Sequence, residues 1–247
     1  MKIIGIIPAR YASTRFPGKA LALIHGKSML QRVYEQATKA KSLAEVIIAT
    51  DDERIMNHAH EFGAKTVMTK TEHISGTDRC YEAYVLNNKN YDYVLNIQGD
   101  EPFLDPEQIN SLAAICDGKT KIATQMIKCN DYETLFDAGE VKITLNHKNE
   151  AIYFSRNVIP YLKGVNEKQW HSQFNYYRHV GMYAYKANIL AEITQLKPSS
   201  LEKAESLEQL RWIENGYAIK CAETNFDSHC IDTPGDIEKV LKLLKLI

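Results

Sequence analysis

Short apolar runs alternate with stretches of helical periodicity along the first half of the chain. Short apolar runs predict strands at residues 3–7, 46–49, 66–68 and 93–97. Apolar residues at three- and four-residue intervals, with suitable capping residues, predict helices at residues 29–39, 53–62, 77–86 and from Asp105-Pro106 onward. Thr77 or Asp78 would cap the third of these helices. This alternation predicts an α/β fold with a mostly parallel central sheet flanked by helices.

The second half of the chain is less regular. It predicts strands at residues 141–145, 151–154 and 179–185, a helix at residues 200–215 that Gly216 ends, and a last helix that begins at Thr233-Pro234. Residues 163–177 are polar and aromatic without a clear period, which indicates a long loop. The sequence has no repeats, low-complexity tracts or Pro/Gly/Ser-rich linkers, so we predict one domain that spans residues 1–247.

Composition narrows the class of protein. The 247 residues are 45% hydrophobic and 25% charged, and the net charge of −1 argues against a protein that coats nucleic acid or an anionic membrane. Every apolar run is shorter than the ~18 residues of a transmembrane helix, and the first is too short for a signal-peptide core. Five widely spaced cysteines without a Cys-x-x-Cys pair predict reduced thiols. We therefore expect a cytoplasmic protein with no nucleic-acid or membrane partner.

The first loop carries a high density of positive charge. Arg10, Arg15, Gly18 and Lys19 lie within ten positions, directly after the first predicted strand. Guanidinium groups bind phosphate oxygens in pairs, an ammonium adds a mobile point charge, and glycine lets the backbone approach closely. Ligands of open α/β sheets bind beyond the carboxyl ends of the strands, so these residues predict a site for a nucleoside triphosphate. The alternative is a solvated basic loop.

Two familiar nucleotide-binding motifs are incomplete. Gly26-Lys27-Ser28 resembles the end of a Walker A loop, but Leu21 stands where the first glycine of that loop is required. The first strand is not followed by a Gly-x-Gly-x-x-Gly sequence either. Hydride transfer with a dinucleotide therefore has little support.

Two carboxylates are candidate ligands for a divalent cation. Asp100 lies in NIQGDEP (residues 96–102), after a buried strand that would end beside the basic loop. Mg²⁺ in phosphoryl- and nucleotidyl-transfer sites is commonly held by one or two carboxylates, which suits Asp100, although Asp-Glu-Pro is also an ordinary turn. Asp232 lies in IDTP (residues 231–234), at a helix N-terminus, where the residues alone favour a capping role.

The segment HISGTDR (residues 73–79) combines small hydroxyl residues, a glycine and Arg79 at a predicted helix start. This combination can bind an anion or the edge of a base. Ordinary capping by Thr77 or Asp78 is an equal alternative, and His73 has no second histidine at a metal-binding spacing.

Polar side chains in the second half could bind a hydroxylated acid. His179, Gly181, Tyr183 and Tyr185 would share one face of a strand, with Arg156 and the segment 208–211 (Glu-Gln-Leu-Arg) elsewhere in that half. A guanidinium suits a carboxylate, and imidazole, amide and carboxylate groups suit hydroxyls. Such residues also decorate any half-exposed sheet, and without further evidence that interpretation is the better one.

Eight ordered motifs supply that evidence. They are PARYASTRFPGKAL, IATDD, HISGTDR, NIQGDEPF, YFSRNVIPY, HVGMYAY, ESLEQLRWIENG and IDTPGDIE. Together they resemble the 3-deoxy-manno-octulosonate cytidylyltransferases, or CMP-Kdo synthetases, over nearly the whole chain. CMP-sialate synthetases share the N-terminal motif, whereas HxSGTDR, SLEQLR and DTP point to the Kdo enzymes.

The resemblance implies a single α/β nucleotidyltransferase domain and a homodimer paired through a small antiparallel sheet. The residues that it implies in catalysis are Arg10, Arg15, Lys19 and Asp100. Those that it implies in nucleotide binding are Pro8, Ala9, Arg10, Lys19, Ser75, Arg79 and Gln98. Asp100 and Asp232 would be Mg²⁺ ligands, which reverses the capping interpretation of Asp232. The residues that it implies in sugar binding are Arg156, His179, Tyr183, Glu208 and Gln209.

The reaction implied is transfer of CMP from CTP to the anomeric hydroxyl of 3-deoxy-D-manno-octulosonate (Kdo), with release of pyrophosphate, for lipopolysaccharide biosynthesis. No residue stands out as general base. The alternatives are 8-amino-Kdo or another sugar acid, a sugar 1-phosphate, and a non-catalytic nucleotide-binding protein. Four positions depart from the family pattern: Ala20 and Ser28 replace prolines, and Cys230 and Gly235 stand where Gly-Ile-Asp-Thr-Pro-Glu-Asp is commoner.

Overall fold

A computed structural model of the chain describes residues 1–13, 15–227 and 230–243. It divides into two compact units: residues 1–114 with the segment from Phe226 onward form the first, and residues 115–225 form the second. The single domain that the sequence indicates stays a prediction. Within the described residues, every helix is too short or too polar to cross a membrane.

The first unit contains four parallel strands. In chain order they are β1 (Ile3–Ala9), β4 (Glu45–Thr50), β5 (Thr66–Met68) and β6 (Tyr93–Asn96), with β2 and β3 forming a separate hairpin described below. β1 pairs with β6 on one side and β4 on the other, and β4 pairs with β5. Parallel strands covered on both faces read as continuous apolar runs, which is why the sequence revealed β1, β4 and β6. The shorter strand β5 was also predicted, although its residues are partly exposed. Their carboxyl ends lie at one edge of the sheet.

The described part of the first unit also contains five α-helices. They are α1 (Met29–Ala37), α2 (Glu53–Glu61), α3 (Gly76–Leu86), α4 (Pro106–Ala114) and the C-terminal helix (Pro234–Leu243). The cap predicted for α3, Thr77 or Asp78, is wrong by two or three residues. Ser75 has an extended backbone, and its hydroxyl accepts a hydrogen bond from the Asp78 N–H at 3.1 Å. Thr77 and Asp78 are therefore already inside the first turn.

A short hairpin in the first unit was not predicted. β2 (Leu23–Ile24) pairs antiparallel with β3 (Lys27–Ser28). The two residues between the strands, His25 and Gly26, have φ angles of 47° and 76°. Positive φ at both central positions is typical of a tight two-residue hairpin turn. The glycine that resembles a Walker A residue is therefore part of this turn.

The second unit is built around β7 (Ile122–Lys128). It pairs antiparallel with β10 (Tyr177–Lys186) and parallel with β11 (Ile219–Glu223). β8 (Lys142–Leu145) pairs antiparallel with β10 and with β9 (Ala151–Ser155). The predicted α/β class, with a mostly parallel sheet and a small antiparallel one, is confirmed. The sequence missed β7 and β11.

The helices of the second unit are short. They are α5 (Tyr132–Phe136), α6 (Trp170–Gln173), α7 (Ala187–Ile193), α8 (Ser200–Glu205) and α9 (Gln209–Glu214). The single helix predicted at 200–215 is wrong, because Ser206 adopts a left-handed conformation with φ of 55° and ends α8. The loop predicted at 163–177 contains α6, whose Trp170 is buried against Leu135 and Tyr176.

Candidate active site

The basic loop leaves β1 and returns to the sheet edge through a turn closed by Gly18. The Gly18 N–H donates to the Tyr11 carbonyl at 3.0 Å, and Gly18 has a φ of 69°. A glycine adopts this left-handed conformation without strain, and a Cβ here would also lie 3.3 Å from the Tyr11 ring. A 3₁₀ helix, Lys19–Leu21, then begins. The turn thereby fixes the backbone position from which the Lys19 side chain extends.

Asp100 reaches the same edge because the chain after β6 continues alongside β1. The Ile97 N–H donates to the Ile6 carbonyl at 2.9 Å. At Gly99 a Cβ would lie 2.9 Å from the Pro8 carbonyl oxygen, closer than two such atoms can approach. Only glycine lets the segment 98–100 lie this close to the end of β1.

Asp232 is carried to Asp100 by its buried neighbour. The Ile231 side chain is fully buried with Ile24 and Met29, and the Ile231 N–H donates to the Asp100 carbonyl at 3.0 Å. Asp236, in the first turn of the C-terminal helix, accepts hydrogen bonds from the N–H and hydroxyl of Thr233, both at 2.8 Å. Asp236 therefore serves the helix start, and the Asp232 carboxylate faces the basic loop instead.

The Lys19 side chain bridges the two carboxylates, and Arg15 pairs with one of them. Lys19 Nζ donates to Asp100 Oδ2 at 2.8 Å and to Asp232 Oδ1 at 3.1 Å. Arg15 Nη1 lies 3.1 Å from Asp232 Oδ2. Burial alone would lower the pKa of Lys19, but the Asp100 and Asp232 carboxylates outweigh it and raise that pKa. The ammonium therefore stays charged and stands where the negative charges converge.

The donor atoms at this point fit a divalent cation. Asp100, Asp232 and Cys230 each offer one atom, and these three atoms lie within 4.8 Å of one another. Two carboxylates suit Mg²⁺, which prefers oxygen ligands, and the bridging ammonium marks the place as one that stabilises positive charge. The third donor, the Cys230 thiol, was not among the ligands expected from the sequence. Desolvation, followed by the charges of Asp100 and Asp232, raises its pKa.

A cavity of about 260 Å³ opens at this edge of the first unit. All ten residues that the sequence implicated in catalysis, nucleotide binding or metal binding line it: Pro8, Ala9, Arg10, Arg15, Lys19, Ser75, Arg79, Gln98, Asp100 and Asp232. Ser13 and His73 also line it and were not assigned to the site. The place of Ser13, in the loop between the two arginines, could have identified it. The structure therefore brings the predicted residues together, and their individual roles stay predictions.

Arg79 lines the cavity with its guanidinium already paired. Its Nη2 donates to Asp51 Oδ2 at 2.7 Å and its Nη1 to the Thr69 hydroxyl at 2.6 Å, and the residue is 3% exposed. These bonds tie α3 to residues that directly follow β4 and β5. Much of the positive charge of Arg79 is thus balanced by Asp51. The remaining cations of the cavity are those of the basic loop.

In the second unit, His179, Tyr183 and Glu208, which are three of the five predicted sugar-binding residues, lie near one another. The His179 ring is 5.1 Å from the Tyr183 ring, and the Tyr183 ring is 5.1 Å from the Trp212 ring. His179 Nε2 lies 2.8 Å from the Thr124 hydroxyl, and burial lowers the pKa of His179 to about 3. Burial and then the nearby charges, including that of Glu208, raise the pKa of Tyr183. Both rings are therefore neutral at pH 7.

The other two residues are held differently. Arg156 Nε donates to the Glu205 carbonyl at 2.9 Å, and its Nη1 donates to the Ala138 carbonyl at 3.2 Å. These bonds hold its guanidinium between two chain segments. Gln209 is buried in the first turn of α9. The roles of all five residues in sugar binding stay predictions.

Comparison with known proteins agrees with this geometry. A family model described as Cytidylyltransferase matches residues 4–222. The chain is 53% identical over 241 residues to a 3-deoxy-manno-octulosonate cytidylyltransferase of Cytophaga hutchinsonii, covering 97% of this chain and 96% of that one. It is 54% identical over 250 residues to the protein of the same name from Parabacteroides distasonis, with 99% and 98% covered.

Solved structures give the same result. A CMP:2-keto-3-deoxy-manno-octonic acid synthetase complexed with CTP matches with a TM-score of 0.91 and 38% identity, over 100% of this chain and 99% of that one. A 4-diphosphocytidyl-2C-methyl-D-erythritol synthase from Anaerococcus prevotii, at 12% identity and a TM-score of 0.61 with 99% of each chain covered, shares the fold alone. The chain belongs to the cytidylyltransferase family, among the 3-deoxy-manno-octulosonate cytidylyltransferases.

Proposed function

We propose that the chain transfers CMP from CTP to the anomeric C2 hydroxyl of Kdo, releasing pyrophosphate and giving CMP-Kdo for lipopolysaccharide biosynthesis. One observation carries this proposal beyond the family assignment. The cations Arg15 and Lys19 and the carboxylates of Asp100 and Asp232 meet in one cavity. Nucleotidyl transfer requires both kinds of charge, one for phosphate oxygens and the other for the divalent cation that accompanies them.

The basic loop would bind the triphosphate. Arg10 and Arg15 are exposed to the cavity and offer paired N–H donors. Lys19 is held by the carboxylates in the structure, and a cation bound to those carboxylates would leave its ammonium available to phosphate oxygens. The main chain at residues 8–10, with Ser75, Arg79 and Gln98, would contact the nucleoside.

Asp100 and Asp232 would hold Mg²⁺. When bound there, Mg²⁺ supplies neutralisation of the charge on the phosphate oxygens. The residues of this chain would also orient the triphosphate, since the two carboxylates lie on one side of it and the basic loop on the other. Catalysis then consists mainly of positioning and charge stabilisation, in which the C2 hydroxyl attacks the α-phosphorus in line and pyrophosphate leaves.

The sugar acid would be bound by residues of the second unit. The Arg156 guanidinium suits the carboxylate of Kdo. His179 and Tyr183 are neutral and offer hydrogen bonds to hydroxyls, as do Glu208 and Gln209. Recognition by these groups would depend on the pattern of hydroxyls, which distinguishes Kdo from sialate.

A homodimer completes the proposal. Exposed apolar side chains of the second unit, Ile152, Tyr161 and Phe174, would pack against a second copy of the chain. Light scattering should give twice the chain mass, and Ile152→Glu should reduce it to the mass of one chain. Five free cysteines agree with a cytoplasmic, reducing location.

The test is pyrophosphate release from CTP and Mg²⁺, measured with Kdo, with sialate, with a hexose 1-phosphate and without an acceptor. We expect release with Kdo and background rates with the other three conditions. Binding of CTP without release in any condition would contradict the proposed reaction while leaving a nucleotide-binding site.

A further inference from the structure

The thiol of Cys230 lies with the two carboxylates that the proposed function assigns to Mg²⁺. Its sulfur and one oxygen from each of Asp100 and Asp232 lie within 4.8 Å of one another. The three ligand atoms come from two segments that the Ile231–Asp100 backbone hydrogen bond joins at 3.0 Å. The cluster is therefore held by the fold of the first unit, and its spacing allows one ion to touch all three atoms.

The chemistry of this donor set differs from that of a pure carboxylate site. Mg²⁺ is a hard cation that takes oxygen ligands, and a sulfur atom adds nothing to its binding. Zn²⁺ and Cd²⁺ accept thiolate together with carboxylate, and thiolate ligands favour such cations strongly. The other four cysteines are buried away from such a cluster: Cys80, Cys116, Cys129 and Cys221.

We propose that Cys230 makes this site a binding site for thiophilic divalent cations, with Cys230, Asp100 and Asp232 as the three protein ligands. The proposal rests on the proposed function only for the assignment of the two carboxylates as metal ligands. The ion would displace the Lys19 ammonium, and the thiol proton would pass to solvent as the metal–sulfur bond forms. Zn²⁺ or Cd²⁺ bound in this way would exclude Mg²⁺ from the same carboxylates.

Titration of the full-length, metal-free protein with Cd²⁺ tests the proposal directly. A cadmium–thiolate bond has a charge-transfer absorption in the ultraviolet that a cadmium–carboxylate bond lacks. We expect this band to saturate at one equivalent in the unmodified protein and to be lost in Cys230→Ser. The affinity for Cd²⁺, measured by calorimetry, should fall at least about tenfold in that variant.

Two further variants and a second metal test whether the band comes from Cys230 and whether Asp100 is a ligand of the same ion. Cys221→Ala removes a buried thiol from β11 in the second unit and should leave the band unchanged. Asp100→Asn should weaken Cd²⁺ binding while retaining the thiol. In Cys230→Ser, the affinity for Mg²⁺ should change by less than about twofold, because Mg²⁺ binds oxygen.

The outcomes distinguish this inference from the proposed function. An unchanged band and unchanged Cd²⁺ affinity in Cys230→Ser would overturn the inference, whatever the enzyme does with CTP. A band that Asp100→Asn leaves at full strength and affinity would also overturn it, since the carboxylate would then not be a ligand. If the unmodified protein released no pyrophosphate from CTP with Mg²⁺ and Kdo, the proposed function would be contradicted, and the Cd²⁺ result would still stand.

Discussion

The two units hold their candidate site residues in different ways. In the first unit the residues are charged, line an open cavity and neutralise one another, as Lys19 does with Asp100 and Asp232. In the second unit His179 and Tyr183 are neutral, pack against other rings and have pKa values set first by burial. Charges should therefore control chemistry in the first unit, and packing and hydrogen bonds should control recognition in the second.

The largest effect is expected from Asp100→Asn, which removes a charge from the first unit. The turnover number should fall by about 10²- to 10³-fold, because the carboxylate that would hold the cation is lost. Pyrophosphate release at saturating CTP and Kdo measures this change. Asp105→Asn is the matched control, since Asp105 accepts a backbone hydrogen bond from Glu107 at the start of α4 and does not line the cavity. Near-normal turnover in Asp100→Asn would remove Asp100 from catalysis.

Gly99→Ala tests whether the close approach of backbone segments forms the cavity. The new Cβ would lie 2.9 Å from the Pro8 carbonyl oxygen, so the segment carrying Asp100 must move. We expect a loss of about 1–3 kcal/mol in the free energy of unfolding and weaker CTP binding. Urea denaturation and calorimetry measure the two effects.

Gly235→Ala is the control for that substitution. Among the described residues its Cβ would meet only the Thr233 hydroxyl, at 3.9 Å, and alanine favours the helix in which it lies. Its stability should be unchanged or slightly higher. If Gly99→Ala were as stable as Gly235→Ala, the close approach at Pro8 would not be a constraint.

Arg156→Ala tests whether the second unit binds Kdo while the first unit binds CTP. We expect the KM for Kdo to rise about tenfold or more, because a charged hydrogen bond to the carboxylate is lost, with little change in CTP affinity. Arg156→Lys should recover part of the loss, since it keeps the charge without the paired donors. Steady-state kinetics with each substrate varied gives both constants. A selective loss of CTP affinity would place Arg156 with the nucleotide instead.

The last prediction is a pH dependence of stability that belongs to the second unit. Burial lowers the pKa of His179 to about 3, whereas an unfolded histidine titrates near pH 6.5. The stability from neutral His179 is complete above about pH 6.5 and is lost as the pH falls from there towards 3, by at most about 1.4 kcal/mol per pH unit.

Urea denaturation between pH 6.5 and 5 isolates this effect. Carboxylates with lowered pKa values, such as that of Glu45, lose their contribution only below about pH 4. His179→Gln keeps a hydrogen-bonding group for Thr124 and should be less sensitive to acid over that interval. Equal sensitivity of the two proteins would mean that His179 is not buried in the neutral form.

The sequence predicted the first unit better than the second for a physical reason. Buried parallel strands such as β1 give continuous apolar runs, and the residue types of Arg15 and Asp100 indicate a charged site at the strand ends. Asp232 was assigned to that site only through the family resemblance. In contrast, β7 has the mixed sequence IATQMIK, because Thr124 and Gln125 are buried polar residues. Its period is unclear, so the strand was missed.

Local backbone conformation explains the other misses. Ser206 interrupts a sequence with helical periodicity by adopting a left-handed conformation, which serine rarely does and no pattern predicts. The hairpin at His25 depends on the same kind of conformation. The prediction of a free thiol at Cys230 is correct, but its place beside Asp100 was missed, because Asp100 lies 130 positions earlier in the chain. Only the fold brings them together.

The Lys19 bridge has a consequence for the order of binding. Arg15 and Lys19 carry two positive charges against the two negative charges of Asp100 and Asp232, so the cluster is electrically neutral at rest. A divalent cation that joins it raises its total charge to +2, which favours an anion, and the anion in turn favours the cation. By reciprocity the two ligands must strengthen each other's binding equally. If Asp100 and Asp232 hold Mg²⁺ as proposed, metal and triphosphate would therefore each bind at full affinity only when the other is also bound.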